Sequence, residues 1–163
     1  MTSTYRDERG KRVMGLVVRL AVPGDEERIR ELFIEMLRTI YHTEDVQGYE
    51  SGYLDKFWSD SEDRIYVAAD PSVEAFLSVE VHSEPDRYIY LDDLSVTERY
   101  RGRGIGTRLI REAETYAKER GIGSIVLHVE KSNVSASCLY KRLGYAVYKD
   151  DGSRYLMKKD IWT

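Results

Sequence analysis

Apolar positions along this chain recur with two periods, and the alternation between them predicts the elements. Ile29, Leu32, Phe33, Met36, Leu37 and Ile40 fall at three- and four-residue steps within Glu26–Tyr41, the period of a helix with one buried face. Asp25 stands just ahead of that helix, where a carboxylate can accept from its first free amides, and is the expected N-cap. Ile105, Leu109, Ala113, Tyr116 and Ala117 mark a second amphipathic helix. Ala136, Leu139, Tyr140 and Leu143 mark a third over Ser135–Leu143, with Gly144 placed for a left-handed C-cap. Seven β-type runs lie between and around these: Leu16–Ala21, Ile65–Ala69, Val73–Val81, Tyr88–Val96, Ser124–Val129, Tyr145–Tyr148 and Tyr155–Lys158. Turns at Asp70-Pro71, S-E-P-D and K-D-D-G-S separate several of them. Tyr41–Trp58 is less regular and is expected to hold a short helix around Glu50–Trp58. Residues 1–13 are polar and aperiodic and read as a mobile tail, leaving 14–163 as a single domain without repeat or linker.

The fourth run carries chemistry. L-D-D-L-S-V ends at Val96 and passes through T-E-R-Y into R-G-R-G-I-G before the second helix. Gly102, Gly104 and Gly106 let the backbone turn sharply and approach a ligand. The first amides of the following helix lack internal partners and the helix dipole adds positive charge there, so the turn is an anion seat, to which Arg99, Arg101 and Arg103 add full charges. A phosphate-bearing ligand is the natural occupant. No Lys-Ser or Lys-Thr follows the glycines, which excludes a nucleotide P-loop, and their G-x-G-x-G spacing excludes the dinucleotide fingerprint G-x-G-x-x-G. R-x-x-G-x-G remains. In the same strand, Asp92 and Asp93 are adjacent, so a regular strand would turn them to opposite faces and set one toward the core or a cleft. Such an acid either pairs with an arginine or does chemistry.

Composition narrows the partners. Net charge is -4 and the sequence pI about 5.5, with 42% hydrophobic and 33% charged residues over 163 positions. No basic surface argues for nucleic acid or an anionic membrane, and an amine substrate is electrostatically welcome. No apolar run approaches the roughly 18 residues of a membrane helix and no secretory signal is visible, so a cytoplasmic location is expected. Cys138, alone, reads as a small packing residue, and the N-V-S sequon at Asn133 as accidental. His42, His82 and His128 are scattered without metal spacing, so no metal is expected; His82 stays a remote substrate contact.

The glycine turn resembles the pyrophosphate loop of the GNAT superfamily of N-acetyltransferases. A second element strengthens the resemblance: Asn133 to Tyr145 is similar to that superfamily's N-x-x-A-x-x-L-Y-x-x-L-G-[FY] motif at every specified position. The likeness covers about residues 88–160, the N-terminal half agreeing only in layout. It implies a mixed α/β fold whose mostly antiparallel sheet of about seven strands splays at a bulge at the cofactor site, with helices on both faces and with Tyr41–Trp58 lining the acceptor site. It implies acetyl-CoA as cosubstrate, bound by backbone groups of Leu94, Ser95 and Val96, by Arg101, Gly102, Arg103, Gly104, Ile105, Gly106 and Thr107, and by Asn133, which otherwise would simply cap the third helix. For Tyr140, to a generic reading a core aromatic, the resemblance implies the role of acid to the leaving thiolate and contact with the cofactor.

Y-L-D-D-L-S-V is also similar to the acidic pair of the diamine (spermidine/spermine) acetyltransferase branch, where the pattern is usually Glu-Asp. Asp92 and Asp93 are then implied to deprotonate and hold the amine. Asp92 is one methylene shorter than glutamate, which favours a bridging water over direct proton abstraction. The expected activity is direct acetyl transfer to a small-molecule amine in a ternary complex. A peptide or protein N-terminal acetyltransferase and a non-catalytic acyl-CoA sensor are the alternatives. A homodimer is left open, as the superfamily often forms one.

Overall fold

The structure, a computed structural model, describes residues 5–6, 12–13 and 16–161. Tyr5–Arg6 (β1) and Arg12–Val13 (β2) pair antiparallel; the rest of the tail expected at 1–13 lies outside the described residues. Then follow Val17–Leu20 (β3), Glu26–Tyr41 (α1), Arg64–Ala69 (β4), Val73–His82 (β5), Tyr88–Val96 (β6), Ile105–Glu119 (α2), Ser124–Glu130 (β7), Val134–Arg142 (α3), Ala146–Asp151 (β8) and Arg154–Asp160 (β9). All seven predicted runs join one sheet in the order β3-β4-β5-β6-β7-β9-β8. Every neighbouring pair is antiparallel except β6 and β7, which run parallel over three residue pairs: Ile89–Ile125, Tyr90–Val126 and Leu91–Leu127. Beyond Leu91 the two central strands no longer pair, and the sheet splits there as the resemblance implied.

Strand alternation sends side chains to two cores. On one face, Ile105, Leu109, Ile110 and Ala113 of α2 pack with Leu77, Val79, Ile89, Leu91, Ile125, Leu127 and Met157. On the other, Ile29 and Leu32 of α1 pack with Leu54, Phe57, Ile65, Val67 and Phe76. Each fully buried aliphatic or aromatic side chain contributes roughly 1.5–3 kcal/mol, so α1 and α2 are fixed to opposite faces of one rigid platform. A buried carboxylate ties α2 to the last strand: Glu114 accepts from Lys159 Nζ at 2.9 Å, Arg111 at 2.9 Å and the Tyr145 hydroxyl at 3.2 Å.

Local chemistry moved several boundaries. Asp25 does not cap α1 with its side chain, because a 3-10 turn at Pro23–Asp25 leads into the helix. Its carboxylate instead accepts from the Val22 amide at 2.8 Å and pairs with Arg19 at 2.8 Å, which holds it below the usual carboxylate range. The helix expected around Glu50–Trp58 is a 3-10 turn over Tyr53–Phe57, entered through Gly52 at φ +81°. Only Leu54 and Phe57 of that turn are buried, and a three-residue repeat of apolar positions suits 3-10 rather than α geometry. β8 runs on through Lys149–Asp151, so the K-D-D-G-S turn shrinks to Gly152 and Ser153; those charges suit an edge strand that must not recruit another.

The end of α3 matches its expectation. Gly144 sits at φ +97°, the Tyr145 amide donates to the Tyr140 carbonyl at 3.0 Å and the Gly144 amide to that of Lys141 at 3.1 Å. This pair of bonds is a Schellman cap, and it fixes the backbone of Tyr140.

Candidate active site

The β5–β6 register decides the geometry of the acid pair. Leu77 opposes Leu94 and Val79 opposes Leu91, so the single residue Ser78 faces both Asp92 and Asp93. This is a β-bulge, and it is held by the Asp93 amide donating to buried Ser78 Oγ at 2.9 Å. The extra residue overturns the expectation that the two acids face opposite ways, because both carboxylates reach the same pair of tyrosines. Tyr53 donates to Asp92 at 2.9 Å and Tyr49 to Asp93 at 2.5 Å. The two rings stack with centroids 4.7 Å apart, and Phe33 of α1 stacks on Tyr49 at 3.8 Å.

Burial and the neighbouring Asp92 charge raise the Asp93 pKa to about 7, against the lowering effect of the Tyr49 bond. Asp92 is raised as well, chiefly by burial. Replacing Ser78 with alanine leaves the half-buried Asp93 amide without this partner, a loss of about 1 kcal/mol. Thermal denaturation of Ser78→Ala is expected to register that loss, and its catalytic rate to fall further than the stability change explains as the bulge relaxes.

A cavity of about 580 Å³ opens where the central strands part. Leu94, Ser95 and Val96 of β6, Arg101, Gly102, Gly104, Ile105, Gly106 and Thr107 of the glycine turn, and Asn133 all line it. Ten of the predicted cofactor positions therefore share one wall. Gly102 and Gly104 sit at φ +74° and +78°, a region that side chains with a Cβ enter at a cost of about 1–2 kcal/mol, and α2 starts directly after Gly104. The unpartnered amides of its first turn thus border the cavity.

The arginines divide. Arg101 is in the wall, yet its guanidinium donates to the Val96 carbonyl at 2.8 Å and to Glu35 at 2.9 Å. Arg99 and Arg103 lie over the Tyr100 ring at 5.0 and 5.5 Å, and Arg103 does not line the cavity. A cation that sequence reasoning missed, Arg142, does line it, as do Met36, Thr39 and Ile40 of α1. Met36 and Ile40 had the spacing of core residues, and nothing in the spacing distinguishes a core from a cleft wall.

Asn133 accepts from the Ala136 amide at 3.2 Å and so caps α3, the plainer of its two readings, while still facing the cavity. Cys138 is exposed on the cavity wall, not packed in the core as expected, because α3 turns that side outward. Tyr140 is partly buried, packs edge-on against Tyr145 at 6.2 Å and is not in the cavity wall. Burial, then the charge of Asp93, pushes its phenol up to about 12, so it lies within electrostatic reach of the acid pair. His128 accepts from or donates to the Tyr90 hydroxyl at 2.7 Å and Asp151 at 2.8 Å, whereas His82 is exposed and meets Glu80 at 3.2 Å. Among the described residues no three His, Cys, Asp or Glu side chains gather as a metal site, and no helix is long and apolar enough to cross a membrane.

A family model described as "Acetyltransferase (GNAT) family" matches residues 27–145. The chain belongs to the GNAT acetyltransferase family. The matched span runs from α1 to Tyr145 and contains the acid pair, the glycine turn and α3. A streptothricin acetyltransferase of Streptomyces lavendulae is 34% identical over 97 residues, 60% of this chain and 51% of that protein. N-alpha-acetyltransferase 30 of Schizosaccharomyces pombe is 37% identical over 73 residues, 45% of this chain and 49% of that protein. The chain thus spans about half the length of these curated relatives. Among solved structures, a PaiA N-acetyltransferase from Thermoplasma acidophilum in complex with coenzyme A superimposes with a TM-score of 0.75 at 22% identity, covering 90% of this chain and 99% of that one. The GNAT fold, including the mostly antiparallel seven-strand sheet, agrees with the expectation.

Proposed function

We propose that this chain transfers the acetyl group of acetyl-CoA to the amine of a small molecule, a diamine or polyamine being the form suggested by the acid pair. Coenzyme A suits the cavity, whose volume of about 580 Å³ is that of a small-ligand site and whose wall includes a glycine turn at a helix N-terminus, a seat for diphosphate. The observation that carries the reading is that one strand supplies both parts of the site: Leu94, Ser95 and Val96 of β6 line the cavity, and the bulged acid pair Asp92 and Asp93 directly precedes them. Tyr140, whose phenol is raised by burial and then by the charge of Asp93, is the acid in this reading and Asp93 the base.

Amine nitrogen must lose a proton to attack. Primary amines have pKa values of about 10, so an acid group near 7 narrows the gap by about 3 units, roughly 4 kcal/mol, relative to an ordinary aspartate. Asp93, with Asp92 beside it, takes that proton directly or through water. Backbone N–H groups at the end of β6 polarise the carbonyl where charge develops. The C–N bond forms, the C–S bond breaks, and Tyr140 gives its proton to the departing sulfur, to be reprotonated as the carboxylic acid releases its own.

Thiol release from acetyl-CoA, read across polyamines, amino acids, aminoglycosides and peptides, tests this, with coenzyme A binding measured in parallel by isothermal titration. Turnover with a small amine is expected. Binding of coenzyme A with no acceptor in the panel would instead identify an acyl-CoA sensor, and absence of binding would end the reading. The 37% identity over 73 residues with N-alpha-acetyltransferase 30 supports a second reading, transfer to a peptide N-terminus, which preferential turnover of peptides would establish.

A further inference from the structure

The face of the sheet that carries the acid pair already holds an ammonium group. Lys56 projects from the 3-10 turn, and its Nζ pairs with Glu80 of β5. It lies 4.8 Å from the centroid of Tyr53 and 5.1 Å from that of Phe57. A carboxylate with two aromatic faces is a recognition site for a desolvated cation. Tyr53 is the ring whose hydroxyl donates to Asp92 at 2.9 Å, so one aromatic side chain joins the acid pair to the seat of Lys56. Glu80 pairs across the strands with Tyr90, which puts it on the same face as Asp92, and its other oxygen meets His82 Nε2 at 3.2 Å. Lys56 and Glu80 both act electrostatically on Asp92 and Asp93, and Arg154 acts on Asp92.

We infer that Lys56 is a specificity-determining residue that occupies the place a second ammonium of the acceptor would take. This rests on the small-amine reading above and qualifies its diamine form: the chain itself supplies the second cation. An acceptor offering one ammonium to the Asp pair and a neutral group one strand away fits beside Lys56. A short diamine meets a like charge there, with Glu80 already neutralised. Without Lys56, Glu80 and the two rings are released for the far end of a diamine.

The test compares pentane-1,5-diamine with 5-aminopentan-1-ol, which match in length and differ by one charge at the remote end. The wild-type chain is expected to favour the amino alcohol in kcat/KM. In Lys56→Met the diamine-to-alcohol ratio is expected to rise about tenfold, between the bulk-water and protein-surface limits for one pair of unit charges at about 4 Å. Lys56→Arg should keep the wild-type ratio. Because the ratio is internal to each variant, a change in the fraction folded cancels, and Lys56→Gln serves as a second neutral variant should Lys56→Met not fold. A ratio unchanged within twofold in the neutral variants, with the amino alcohol still turned over, overturns the inference and leaves the acetyltransferase reading standing. Turnover of no small amine by the wild type overturns that reading as well.

Discussion

Tyr140→Phe is expected to lower kcat by about 10²–10⁴-fold, the range for loss of a general acid, while the dissociation constant for coenzyme A changes by less than threefold. The ring stays packed against Tyr145 at 6.2 Å and the Schellman cap involves only backbone, so the substitution removes a proton and leaves a shape. A phenol raised to about 12 is, on that value alone, a poor donor to a thiolate whose conjugate acid lies near about 8.5. The cause of the shift resolves this. Part of it is the negative charge of Asp93, and that charge disappears once Asp93 accepts the amine's proton. In the proposed reaction base and acid would therefore be coupled in the useful order, uptake of the first proton easing release of the second. Single-turnover kinetics with bound acetyl-CoA measures the chemical step directly, and an unchanged rate in Tyr140→Phe removes the phenol from the mechanism.

Asp93→Asn is expected to act with opposite signs on rate and on stability. The carboxylate must be ionised to serve as base, so kcat/KM of the wild-type chain should rise with pH and level off above about 7. In the variant this dependence should vanish along with a rate loss of about 10²-fold or more. Stability runs the other way. A folded-state pKa raised above the unfolded value means that the folded chain holds a proton that the unfolded chain has released. The contribution to stability is then fully present below about 4, the unfolded value, and is lost as pH rises through about 7. Asparagine carries no charge to bury and can still accept from Tyr49. Thermal denaturation at pH 8 should therefore find the variant more stable, by about 1 kcal/mol, and the gain should shrink toward pH 5. Loss of activity accompanied by loss of stability would mark Asp93 as a structural acid.

Much of this molecule was legible in its sequence because its elements obey simple periods. The spacing of Ile29 through Ile40 defined α1 to its last residue, and the glycine turn plus the Asn133–Tyr145 element located the wall of the cavity. What escaped notice depends on geometry that no single segment encodes. The resemblance implied a bulge in this strand but not its place, which is a relation between Ser78 and two residues on another strand, and it reverses the facing of an acid that alternation alone sends the other way. Tyr49, Tyr53 and Lys56 lie in the stretch that the resemblance assigned to the acceptor site, but neither period applies there to single them out, and only the path of the chain brings them over β6. Their shared aromatic and charged character was the available signal, and it did not specify a partner. Arg101 illustrates a subtler failure: the motif placed the residue correctly, but its charge is spent on Glu35 at 2.9 Å, a contact between elements far apart in the chain.

The seam between β6 and β7 is three residue pairs long, and one consequence concerns how the molecule loosens. A central strand is ordinarily the last part of a sheet to open, because it is laddered on both sides. Here that holds only from Ile89 to Leu91; the next residues, which include the acid pair, are laddered within the sheet to β5 alone. Warming or mild denaturant would thus disturb the alignment of Asp93 with the Leu94–Val96 backbone while both helical faces are still intact, and anything that bridges the gap from β6 to α3 would act as a clasp on the proposed site before it acts as one on the fold.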